Sequence, residues 1–245
     1  MAVGLAVPWA RPSTGRGREA ARIVDVGCVR LWLTEVAGSL EAERDFLTQL
    51  DAAIGDADHG INMHRGFTAV MRRVDGLDPA TPGTLLKTAG RTFVSTVGGA
   101  AGPLYGTAFL QAGDALGGEP SFGPRRLLEA LRASLDGVQR IGAASEGDKT
   151  MVDALAPALA AYQLELRTGG SLETAVRAAS QAASDGARAT VPMQARKGRA
   201  SYLGPRSVGH QDPGATSTAL MFAALERAAV ADRSQRFARP RGSRS

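Results

Sequence analysis

The sequence is poor in the residues on which several protein classes depend. Its 245 residues include one Cys, three Lys and three His, and aromatic side chains make up 5%. The single thiol, Cys28, excludes an intrachain disulfide framework and any multi-cysteine metal site, and it suits a reducing cytoplasm. So few aromatics leave little for base stacking, and no apolar run approaches the ~18 residues that a membrane span requires. The first residues, MAVGLAVPWA, are apolar but lack a basic leading segment and are broken by Pro8, so no cleaved signal is expected. Neither nucleic acid nor membrane is expected as a partner.

A net charge of +5 and a pI near 10.0 point at first towards a polyanion. The distribution removes that reading. Residues 1–22 carry four Arg against one Glu, and residues 226–245 carry six Arg against two acids, whereas 23–225 holds 19 basic and 21 acidic residues. The basic character belongs to the two ends. Segments 1–22 and 233–245, rich in Arg, Gly, Pro and Ser, read as disordered tails around one domain over 23–232.

Within that domain the apolar period is helical. Met63, Phe67, Val70 and Val74 recur at steps of three and four, as do Leu127, Leu128, Leu131, Leu135 and Val138, and then Met151, Leu155 and Leu159. Pro124, Ser171 and Asp212-Pro213 mark helix starts. Helices are predicted near 26–42, 44–54, 60–74, 83–96, 103–117, 124–141, 148–167, 171–189 and 214–231. No run of alternating β-branched residues competes with them, and short connections favour antiparallel neighbours, so the fold class is an all-α bundle or ring.

Three connections are richer in chemistry than turns require. In LDAAIGDADHGINM, Asp51 lies one turn before a helix end, and Asp56 and Asp58 flank the loop that follows. Hard divalent cations take oxygen ligands, so three converging carboxylates can hold Mg²⁺ shared with a polyphosphate. The same residues also suit a solvated, helix-capping loop. The oxygen ligands and closing Glu of a twelve-residue Ca²⁺ loop are absent. In VGGAAGPLYGT, from Val97 to Thr107, small residues and a Pro103 helix start offer amides to an anion, or equally allow tight helix packing. No Walker lysine follows, and Gly15-x-Gly17 has no strand before it. The third connection, Met193 to Gly214, is long for a compact helical domain and carries Arg196, Lys197 and Arg199; Lys149 in GDKTMVD is a further basic position. No nucleophile–base arrangement can be assembled, so no catalytic side chain is assigned. Carboxylates, glycines and cations without a nucleophile suit direct phosphoryl transfer.

The stretches LDAAIGDADHGINM, STVGGAAGPLYGT, GDKTMVD and MQARKGRASYLGPRSVGHQDPGATS stand in one order. From about residue 28 to 230 the chain thereby resembles the ADP-binding L subunits of dihydroxyacetone kinases (DhaL). The resemblance implies an eight-helix antiparallel up-and-down barrel with a nucleotide site at one end. It implies ADP or ATP as cofactor with two Mg²⁺ ions held at Asp51, Asp56 and Asp58. Nucleotide contacts carry over to His59, Gly60, Ile61, Asn62, Ala100, Ala101, Gly142, Met151, Arg199, Asp212, Pro213 and Gly214. One departure is Ala101, where the family commonly has Ser. The implied activity is phosphate transfer to dihydroxyacetone held on a separate K subunit, with a phosphohistidine-bearing M subunit recharging retained ADP and phosphoenolpyruvate as ultimate donor. The resemblance also leaves open a homodimer, an ATP-dependent ketose kinase subunit with exchangeable nucleotide, and a nucleotide-bound regulator that contacts a transcription factor. The absence of a K-like segment within these 245 residues favours the phosphotransferase-linked form.

Overall fold

The computed structural model describes residues 23–238, with side chains up to Ala231. Nine α-helices lie in it: α1 (Val26–Ala42), α2 (Arg44–Ile54), α3 (His59–Asp75), α4 (Pro82–Thr96), α5 (Ala101–Leu116), α6 (Pro124–Gly142), α7 (Val152–Arg167), α8 (Leu172–Ala189) and α9 (Pro213–Ala238). The predicted all-α class holds. A two-residue antiparallel ladder joins β1 (Val24–Asp25) to β2 (Ser121–Phe122), too short to leave a periodic signal. Among the described residues no helix is long and apolar enough to cross a membrane.

Eight of the helices form a closed ring. Each of α3 to α9 packs on the next, and α1 packs on both α3 and α9. The α1–α9 seam is closed by Trp32, whose indole N–H donates to the Met221 carbonyl at 3.0 Å, and by the Arg227–Glu35 pair at 2.8 Å. Helix α2 continues the ladder of α1 through Glu43, where Glu43 N–H donates to Ser39 and Leu47 N–H to Glu43, and it lies at one end of the ring. The implied count of eight therefore describes the ring, with α2 as an added connector.

Apolar faces meet inside. Phe67, Phe93 and Phe109 pack at centroid distances of 5.1 to 6.2 Å, with Trp32 and Tyr105 beside them. Offset and edge contacts of this kind add to the area that the rings bury. Between α1, α5, α6 and α9 the core leaves an apolar cavity of about 90 Å³.

Alternation in such a ring puts every second connection at the same end. The loops after α2, α4, α6 and α8 share that end, and the predicted chemistry lies in all four. Two boundaries differ from expectation by more than two residues. The 148–151 turn precedes α7, because Lys149 takes a left-handed backbone (φ 61°) that a helix cannot include. Helix α9 runs on to Ala238, so 233–238 belongs to it. The rest of the expected tails, 1–22 and 239–245, lies outside the described residues.

Candidate functional site

At the end shared by the four loops lies a cavity of about 170 Å³. The first turns of α3, α5 and α9 contribute to its wall, together with Lys149–Met151, the turn that leads into α7. Helix N-termini present amides without intrahelical partners and the positive end of the helix dipole, so such a wall attracts anions. Helix α5 begins at Ala100–Ala101 with no side-chain cap.

The three aspartates converge on one side of this cavity, with one oxygen of each within 4.8 Å of the others. The path of the backbone explains how. Asp51 lies in the last turn of α2 and turns its Oδ2 to the amides of Asp58 (2.9 Å) and His59 (3.1 Å), so it caps α3 from the neighbouring helix. Asp58 itself makes no capping bond. Gly55 makes the arrangement possible, since a Cβ there would sit 2.0 Å from Asp51 Oδ1. Ala57 adopts a left-handed backbone (φ 62°), which turns the chain between Asp56 and Asp58. That conformation costs a non-glycine residue about 1–2 kcal/mol, a cost typical of functional loops.

Burial raises the Asp58 carboxyl above its ordinary range, and the Asp56 and Asp51 charges add to the rise; the Asn62 side chain and Arg199 oppose it. Arg199 pairs with Asp56 at 3.0 Å from the 3₁₀ segment Arg199–Ser207. One arginine thus faces three carboxylates. A divalent cation would offset the excess, and oxygen-only donors match a hard ion. The floor is polar and ordered: Tyr105 Oη lies 2.7 Å from Ser217 Oγ and 3.0 Å from Thr218 Oγ1, and Ser217 Oγ lies 2.9 Å from His59 Nε2. Burial lowers the His59 imidazole to about 4 and raises the Tyr105 hydroxyl to about 12, so both are neutral at pH 7.

Asp212 caps α9, accepting from Ala215 N–H at 2.7 Å. Burial lifts its carboxyl to about 7; the Ala215 amide and Lys149 oppose this, and Asp153 and Asp51 reinforce it. Between about pH 4 and 7 the folded chain therefore keeps a proton that the unfolded chain has lost, and the carboxyl costs more stability as pH rises through this window. Asp212→Asn retains a capping oxygen. In nucleotide-free protein it is expected to raise the Tm by a margin that grows from pH 4 to 7 and is constant above. Melts of both proteins at pH 5 and 8 check this, and an equal margin at the two values contradicts it.

Of the residues singled out from sequence, Asp51, Asp56, Asp58, His59, Asn62, Ala100, Ala101, Met151, Arg199, Asp212, Pro213 and Gly214 line the cavity. Three do not. Gly60 is buried against α2, where its Cβ would meet the Arg44 carbonyl at 2.0 Å, and Ile61 is 50% exposed. Helical geometry accounts for both: positions 59 and 62 share a face, and 60 and 61 point elsewhere. Gly142 ends α6 behind Leu104, which would lie 3.2 Å from a Cβ at 142.

Of the other cations marked in the sequence, Lys149 and Lys197 line the cavity and Arg196 does not; Leu104, Tyr105 and Thr150 line it without having been singled out, Leu104 and Tyr105 because the first turn of α5 faces inward. The glycine-rich connection serves both purposes considered for it. Gly98 and Gly99 border the cavity, whereas a Cβ on Gly102 or Gly106 would collide with Val97 or Val94. Ala101, the first residue of α5, has no hydroxyl to offer a phosphate. Ala101→Ser is expected to slow nucleotide release by about tenfold, the worth of one hydrogen bond to a charged group. Release of a fluorescent ADP analogue measures it, and an unchanged rate contradicts it.

Known proteins resemble this chain in sequence and in fold. The family model of the DAK2 domain matches residues 53–227. The chain is 45% identical over 198 residues to the PEP-dependent dihydroxyacetone kinase ADP-binding subunit DhaL of Escherichia coli K12, covering 81% of this chain and 94% of that protein. It is 37% identical to the PTS-dependent counterpart of Lactococcus lactis, covering 79% and 93%. The dihydroxyacetone kinase of C. freundii, solved in complex with AMP-PNP and Mg²⁺, superposes with a TM-score of 0.65 at 25% identity. That match covers 91% of this chain, which spans 38% of the C. freundii protein.

Proposed function

The chain belongs to the DAK2 domain family, and from that membership and its site we propose that it is the ADP-binding subunit of a phosphoenolpyruvate-dependent dihydroxyacetone kinase. The observation that carries the reading is the meeting of Asp51, Asp56 and Asp58 within 4.8 Å beside the first turns of α3, α5 and α9. A magnesium–nucleotide, when bound, supplies the phosphoryl group and the positive charge that balances it.

The residues divide the work. Asp51, Asp56 and Asp58 hold the metal ions. The amides at the start of α5 receive phosphate oxygens, and Lys197 and Arg199 add positive charge from segment 193–207. Leu104 and Met151 offer an apolar surface to the base. His59, Asn62 and the Asp212-Pro213-Gly214 turn complete the wall. None of these side chains has to act as nucleophile, because the acceptor hydroxyl belongs to a substrate presented by another subunit. The partners are a dihydroxyacetone-binding K subunit and a phosphohistidine-bearing M subunit, with the nucleotide retained between cycles.

Reconstitution tests the reading. With K and M subunits, the general phosphotransferase proteins and phosphoenolpyruvate, dihydroxyacetone is expected to be phosphorylated without added ATP. Transfer that requires stoichiometric ATP would show an exchangeable-nucleotide kinase instead.

A further inference from the structure

Lys149 occupies a place where a lysine is costly. It is 1% exposed, and its backbone is left-handed. Burial lowers its ammonium pKa, with Asp212 opposing the change. The ammonium donates to two backbone carbonyls, Met193 at 3.0 Å and Ser207 at 2.6 Å. Neutral carbonyls compensate a buried cation less well than a carboxylate does, so packing alone does not account for a lysine here.

The two carbonyls are the two ends of one excursion. Between Met193 and Ser207 the chain leaves the ring, and Lys197, Gly198, Arg199 and Ala200 within it line the nucleotide cavity. Other bonds gather the same ends: Arg196 N–H to the Asp148 carbonyl at 3.1 Å, and Ala195 N–H to Ser207 Oγ at 2.9 Å. The middle rests on a small apolar cluster of Ile54, Ala195, Ala200 and Leu203, and on the Arg199–Asp56 pair. Lys149 is a side chain from outside the excursion that binds both of its ends.

We propose that Lys149 is a latch, a positioning residue that pins segment 193–207 against the nucleotide cavity and so sets how long the nucleotide stays bound. The consequence for the nucleotide rests on the function proposed above; the pinning itself does not. An untied segment opens more often, and both proteolysis and ligand escape follow the population of the open form.

The test is to compare wild type with Lys149→Met, which keeps the length and loses the donors. Segment 193–207 holds Arg196, Lys197, Arg199 and Arg206, so trypsin reports its opening directly. In nucleotide-free protein, cleavage within the segment is expected to accelerate at least about tenfold, with cleavage elsewhere unchanged. Release of bound ADP from the magnesium complex is expected to accelerate by a similar factor. If Lys149→Met does not fold, Lys149→Gln, which keeps two N–H donors on a shorter stem, carries the same comparison with smaller shifts. Cleavage that rises equally at all sites means general destabilisation and overturns the latch. Faster segment cleavage with unchanged ADP release overturns the control of residence time. Wild-type protein that binds no ADP contradicts the proposed function, and the cleavage comparison still decides the latch.

Discussion

Asp58→Asn is expected to lower phosphoryl transfer at least about a thousandfold while leaving the fold intact. A thousandfold loss corresponds to about 4 kcal/mol of transition-state stabilisation, in line with the several kcal/mol that a metal ion contributes at a phosphoryl group. The sign of the stability change separates this from damage. In metal-free protein Asp58 is half-buried and faces the carboxylates of Asp51 and Asp56, which raise its pKa together with burial. Removing one charge relieves repulsion, so the metal-free Tm is expected to hold or rise slightly. Stabilisation by Mg–ADP is expected to disappear. For wild type, ligand at one hundred times Kd contributes about 2.7 kcal/mol, or roughly 5–11 °C in a chain of this size. Single-turnover transfer and paired melts measure both effects. Transfer within tenfold of wild type would remove Asp58 from the metal site.

Gly60→Ala is expected to destabilise the protein by about 2–3 kcal/mol, the upper range for overpacking, and to lower the Tm by roughly 5–10 °C. The added Cβ would lie 2.0 Å from the Arg44 carbonyl and 2.5 Å from Thr48 Oγ1, so α3 must move off α2. These helices carry Asp51 and Asp58 on either side of one short loop, and ADP affinity should fall with stability. Ile61→Ala, one residue on and half exposed, should change stability by no more than about 0.5 kcal/mol. Thermal melts of both variants decide the matter. A Gly60→Ala protein with unchanged Tm and lost ADP affinity would make Gly60 a direct nucleotide contact rather than a packing residue at the α2 crossing.

Those two residues mark where the sequence stops being informative. Helices α6 and α8 are legible within a residue because start signal and apolar period agree, as at Pro124 in the first turn of α6 and Ser171 before α8. The aspartates are legible because helix end, loop and next helix lie within eight residues, and few backbone paths separate their carboxylates. Gly60 and Ile61 are not, because a contiguous motif, HGIN, is wound on a helix that presents only positions 59 and 62 to the cavity. Lys149 is a different case. Its composition and spacing suit a phosphate-binding cation, but its ammonium is taken by the carbonyls of Met193 and Ser207, more than forty residues away along the chain. Only the fold brings those atoms together. The excess of Arg at the chain ends, which dominates the net charge, lies largely outside the described residues; the charge that shapes the site is three aspartates and a few cations.

The most direct measurement is native mass spectrometry of the purified protein, followed by exposure to labelled ATP. One ADP with two Mg²⁺ per chain is expected, retained through dialysis in magnesium, released by chelation of the metal, and not exchanged with the labelled nucleotide. A protein that carries no adenine nucleotide, and whose melting does not respond to added Mg–ADP, would contradict it.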